Sequence, residues 1–122
     1  MPKILPLKES YLSAIEFLCA HEKSITVGVL SVPRTANMTY RFWDSIKERN
    51  NDSVCGYNPR DFFGIVKFKN GSYIETISPN KCYTYILKEE SYTENDVMDI
   101  IETENAEIDR FLSEFTIIKD SK

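Results

Sequence analysis

The chain has 122 residues, 42% of them apolar and 28% charged, with a formal net charge of -4. That is the length of one globular domain, with enough apolar content for a single core. No apolar run approaches the roughly 20 residues of a membrane span, and the start, Met1-Pro2-Lys3-Ile4-Leu5-Pro6, has no long apolar signal region, so a cytoplasmic protein is expected.

Apolar residues Tyr11, Leu12, Ile15, Phe17, Leu18 and Cys19 recur at near-helical spacing behind Pro6, which predicts a helix over about 8–22. Ile25 to Leu30 is short and β-branched and reads as a buried strand, with Gly28 leaving room for another backbone. A second helix is predicted over about 37–49, its apolar side made of Tyr40, Phe42, Trp43 and Ile46. The polar stretch Asn50 to Asp61, with Gly56 and Pro59, reads as a loop. Phe62 to Lys69 and Ser72 to Ile77 flank Asn70-Gly71, which predicts a hairpin with a two-residue turn, both turn residues at positive φ. Tyr83 to Leu87 reads as a further strand.

Thr93, with Asp96 three residues on, is a capping-box variant that opens a last helix. Its apolar stripe is Val97, Ile100, Ile101, Ile108, Phe111 and Leu112, and its other face holds Glu102, Glu104, Glu107 and Asp109. Phe115 to Lys119 closes the chain as a strand. The expected fold is a single α/β domain spanning residues 1–122, of order α-β-α-β-β-β-α-β, with helices packed on a sheet in two or three layers.

Charge is divided unevenly. Residues 1–81 carry 11 Lys/Arg against 8 Asp/Glu, and residues 82–122 carry 4 against 11. An acidic surface of this kind is either a solvated helix face or a contact for a basic partner. Cys19, Cys55 and Cys82 are odd in number and widely spaced, and are expected as two half-buried thiols and one loop thiol. With His21 as the sole histidine, no metal site and no cofactor are expected.

The segment Pro33-Arg34-Thr35-Ala36-Asn37-Met38-Thr39 lies between a strand and an aromatic-rich helix, where a P-loop protein holds phosphate. Beyond it come the hairpin around Asn70-Gly71-Ser72, the apolar strand ending Lys88-Glu89-Glu90, and the helix after Tyr92. In order, over about residues 25–101, these stations resemble the ATPase lobe of phage terminase large subunits. That family often reads Pro-Arg-x-x-Gly-Lys-Thr in its phosphate loop and ends a later strand in Asp-Glu-Ala. The resemblance implies a nucleotide site built from Arg34, Asn37, Thr39, Glu89 and Glu90. Asn37 and Met38 replace the family's glycine and lysine, and Lys88 falls where its metal-holding aspartate stands; a one-residue shift would put Glu89 and Glu90 in the metal and water roles.

An ammonium facing phosphate supplies a charge-assisted contact of roughly 1.5–3 kcal/mol. Its loss to Met38 points away from ATP turnover. The leading expectation is a non-catalytic interaction protein of phage or prophage origin. Glu102, Glu104, Glu107 and Asp109 would bind a basic protein partner and inhibit it. The alternatives are a terminase-like ATPase fragment, or a small nucleic-acid-binding module using Arg34, Arg41, Lys47, Arg49, Arg60, Lys67 and Lys69, with Trp43 and Phe68 expected in the core.

Overall fold

The structure, a computed structural model, describes residues 2–31, 36–59, 64–79 and 81–101, the side chains of 36–40 excepted. Its elements are β1 (Lys3–Pro6), α1 (Glu9–His21), β2 (Thr26–Leu30), α2 (Ala36–Arg49), β3 (Val54–Asn58), β4 (Ile65–Phe68), β5 (Tyr73–Thr76) and β6 (Tyr85–Lys88). A third helix, α3, begins at 94 and covers the rest of the described chain. The six strands form one mixed sheet in the order β1-β6-β2-β5-β4-β3. Strands β1, β6, β2 and β5 run parallel, while β4 and β3 continue the sheet antiparallel.

The α/β class and the helix positions agree with the sequence, and two strands are additions to it. The segment before α1 is β1, which pairs with β6 in the register Ile4↔Ile86. The stretch expected as a loop contains β3, an edge strand with an irregularity between Val54 and Gly56 that interrupts its ladder. The strand expected at Phe115 to Lys119 lies outside the described residues.

Each face of the sheet has its own core. On one, Val27, Val29, Val66, Phe68, Ile74 and Leu87 pack against Ile15 and Cys19 of α1 and Trp43 and Ile46 of α2. On the other, Leu30 and Ile86 pack with Ile77, Tyr83 and Val97, and Ile100 and Ile101 join them. Trp43 and Phe68 are core residues, each 2% exposed. On α1 the spacing misplaced two aromatics: Tyr11 and Phe17 face outward, and Glu16 takes a buried position beside Ile15 and Cys19. Gly28 accommodates a side chain rather than a backbone, since a Cβ there would meet the Tyr83 ring at 3.0 Å.

The hairpin joins β4 to β5 as expected, with a different turn. Gly71 alone takes positive φ, at 91°, and its N–H donates to the Phe68 carbonyl at 3.1 Å, while Phe68 N–H donates to Ser72 O at 2.8 Å. That is a three-residue loop, Lys69-Asn70-Gly71, with glycine in the left-handed position. Asn70 keeps negative φ, and its amide reaches across to donate to the Cys19 carbonyl at 2.8 Å. Buried Ser72 accepts from Ile25 N–H and donates to Glu22 O, fastening the hairpin to the link between α1 and β2. At α3 the capping box forms reciprocally: Thr93 N–H donates to Asp96 Oδ2 at 2.8 Å, and Asp96 N–H to Thr93 Oγ1 at 3.1 Å.

Candidate functional site

The sheet brings β2 and β6 together, with Leu30 opposite Lys88. From the end of β2 the chain enters α2, on the face lined by Val27 and Leu87; from the end of β6 it enters α3, on the opposite face. Outgoing connections that part to opposite faces make a topological switch point, the place where α/β sheets open a crevice at the carboxyl ends of their strands.

Four of the residues expected in a nucleotide site, Asn37, Thr39, Glu89 and Glu90, lie in the segments that follow these two strands. Asn37 and Thr39 belong to the first turn of α2. Glu89 follows β6, and its N–H donates to the Leu30 carbonyl at 2.8 Å. Glu90 is exposed. Arg34 and the loop around it lie outside the described residues. Ile86 faces the α3 side and Leu87 the α1/α2 side, so alternation assigns Lys88, the last residue of β6, to the α3 side. Lys88 accordingly donates to the Tyr92 carbonyl at 2.8 Å. Among the described residues no group of three His, Cys, Asp or Glu side chains could hold a metal.

A second place was not foreseen in the sequence. Over β5, β4 and β3, the face opposite α1 and α2 carries a groove of about 500 Å³ lined by Cys55, Ile65, Lys67, Lys69, Tyr73 and Lys81, with Glu75 at its inner end. Glu75 is buried and heavily partnered. Lys81 Nζ donates to both its oxygens at 2.9 and 2.8 Å, and Tyr83 Oη donates to Oε2 at 2.6 Å. The Tyr83 hydroxyl in turn accepts from Ser78 N–H at 2.9 Å. Burial first, and then the bond to Glu75, push the Tyr83 hydroxyl above its usual range. Lys81 also stands 5.5 Å over the Tyr73 ring. Lys67 and Lys69 are exposed on the same face.

The residues proposed for nucleic acid separate accordingly. Arg49, half exposed, is committed to an internal partner: its Nε and Nη2 donate to the two oxygens of buried Glu16 at 3.0 and 2.8 Å. Lys47 stands 5.0 Å over the Tyr57 ring. Arg41 is exposed; Arg34 and Arg60 lie outside the described residues. Lys67 and Lys69 share the groove. Among the proposed partner-binding residues, Glu102, Glu104, Glu107 and Asp109 all lie outside the described residues.

The thiols differ from expectation, with Cys19 fully buried and both Cys55 and Cys82 exposed. Burial, and then the Glu16 carboxylate, push Cys19 from 9.0 up to about 12. Native protein at mildly alkaline pH should therefore react with a thiol reagent at two positions, and at the third only on unfolding. A folded thiol that holds its proton to about 12 contributes stability below pH 9 that is lost as pH rises toward 12. Replacing Cys19 with Ala should flatten that alkaline decline in a melting series.

No family model matches the chain, and neither does any curated protein or solved structure. The switch point and the lysine-lined groove therefore stand on their own geometry.

Proposed function

We propose that the chain is a non-catalytic interaction protein, of phage or prophage origin, whose acidic C-terminal surface binds and inhibits a basic protein partner. The observation that carries this reading is the way α3 sits. It docks through fully buried Val97, with Ile100 and Ile101 beside it, and leaves Glu94 and Asp99 exposed to solvent. Glu102, Glu104, Glu107 and Asp109 continue the same charge immediately downstream. Packing of the described helix leaves Glu94 and Asp99 toward solvent, and an acidic field of this kind steers basic partners. The full chain should retain a Lys/Arg-rich peptide at low salt. A variant with Glu102, Glu104, Glu107 and Asp109 changed to Lys should lose retention and keep its melting temperature; equal retention by both removes the reading.

A terminase-like ATPase fragment is the second reading, and the place of Glu89 favours it. Glu89 follows the strand beside β2, its N–H on the Leu30 carbonyl, at the end of the sheet where a phosphate-bound magnesium would need an acid. Calorimetry with ATP and magnesium should then give heat that Arg34→Ala and Glu89→Gln remove. No heat from the parent protein closes this reading.

A further inference from the structure

The groove over β5, β4 and β3 holds its charges in two parts. At the inner end Glu75 is neutralised in place: Lys81 Nζ donates to both carboxylate oxygens, and the Tyr83 hydroxyl donates to one of them. An ammonium has three donors, so Lys81 keeps one to spare among the described residues. Along β4, Val66 and Phe68 turn into the α1/α2 core, which turns Ile65 and Lys67 to the groove. Lys69 N–H still donates to the Ser53 carbonyl at 2.8 Å, so the chain stays extended beside β3 and Lys69 shares the side of Lys67. Both lysines are exposed, and neither has an acidic partner among the described residues. Two residues apart on one strand face, their Cα atoms stand roughly 7 Å apart, and both long side chains can meet one head group.

We propose that this groove binds a small phosphate monoester with an aromatic body, its phosphate on Lys67 and Lys69 and its body over Ile65 and Tyr73. Charge count is one reason. A phosphate monoester carries about -1.5 to -2 at pH 7, which answers two lysines, whereas a carboxylate leaves one unanswered. Size is another: the groove's volume of about 500 Å³ falls in the range of roughly 300–1,000 Å³ typical of small-molecule sites. Layout is the third. Tyr73 is the register partner of Lys67 across the β4–β5 ladder, and Ile65 is that of Glu75. Apolar floor and cations therefore lie side by side, and Ile65 to Lys69 spans only roughly 13 Å. Glu75 would repel an anion if it were free; Lys81 and Tyr83 remove that obstacle.

Magnitude separates this ligand from nucleic acid. Two uncommitted lysines neutralise about two phosphates, for a salt slope of only about -1.4 on a single strand. The chain's net charge of -4 opposes a polyanion more than a single dianion. None of the groove residues belongs to the switch point or to α3, so this site is independent of both readings above.

Titration of the isotope-labelled full chain with phenyl phosphate, without magnesium and followed by NMR, tests the site. Amide signals of residues 65–69 and 73–75 should shift and saturate. Inorganic phosphate and phenol should each bind about tenfold more weakly, since each lacks half of the contacts. Lys67→Gln with Lys69→Gln should weaken phenyl phosphate about tenfold, at about threefold per exposed charge contact. Glu75→Gln should strengthen it about threefold, because Lys81 is then released to the phosphate. The site is overturned if phenyl phosphate moves no groove signal, or if the folded double-lysine variant binds as the parent does. Should that variant fail to fold, Glu75→Gln decides, and unchanged or weaker binding overturns the site. Shifts confined to the first turn of α2 and removed by Arg34→Ala would assign the phosphate to the switch point instead. An oligothymidylate bound through Lys67 and Lys69 with a salt slope well beyond about -1.4 would make the groove a nucleic-acid surface.

Discussion

Gly64→Ala should cost about 3 kcal/mol of stability, between overpacking a core and losing a buried tryptophan. Gly64 precedes β4, and a Cβ there would overlap the Trp43 indole at Nε1 and Cε2. The backbone cannot withdraw, because Gly64 N–H donates to Thr76 Oγ1 at 3.0 Å and Thr76 N–H donates to Gly64 O at 2.9 Å. The indole must leave a site where it is 2% exposed. Trp43 is the chain's one tryptophan, so the variant should show both a lower urea midpoint and a red-shifted emission. In a Trp43→Leu background the same change should cost under about 1 kcal/mol, because the clash is gone. A variant with the parent's midpoint and emission would show that Trp43 and Gly64 do not pack as described.

Arg49→Met should cost about 2 kcal/mol. Glu16 is 5% exposed and accepts from Arg49 twice and from Asn50 Nδ2 at 2.7 Å. Without the guanidinium, a buried carboxylate keeps a single amide donor. Breaking a buried pair on one side costs roughly 3–5 kcal/mol. The lower figure applies here because the Arg49 side chain is half exposed and water can reach its place. Glu16→Leu with Arg49→Met should recover most of the loss, since an apolar pair of similar volume avoids the desolvation penalty. If the double variant is as unstable as Arg49→Met alone, the cost arises from something other than the stranded charge.

Much of the architecture was legible because strand and helix periods were strong. The run Thr26 to Leu30, the α2 core residues Trp43 and Ile46, and the Thr93-Asp96 cap all carried local signals that tertiary packing left intact. The missed strands lacked such signals. Lys3–Pro6 is four residues with a proline, and Val54–Asn58 contains glycine and asparagine, so each is a strand because a neighbour pairs with it. Asn70-Gly71 marked the hairpin correctly, but Ser72 and the Asn70 amide bond to the α1 end and select the three-residue loop.

Position along the chain marks the buried carboxylates. Glu16 lies four residues after Leu12 and three before Cys19, on the inward stripe of α1. Glu75 shares its strand face with Tyr73 and Ile77, both partners in the second core. Their cations, Arg49 and Lys81, sit 33 and 6 residues away, and no local pattern pairs Arg49 with Glu16. The lysine groove depends on which half of a sheet face the described helices leave uncovered, which only the strand order reveals.

The pairing of β1 with β6 joins Ile4 to Ile86. A ribosome delivers the first strand long before its hydrogen-bonding neighbour exists, and the hairpin at 65–76 can zip locally in the interval. The N-terminal strand therefore waits, unpaired, for a partner made about 80 residues later, and its place at the edge of the sheet depends on β6.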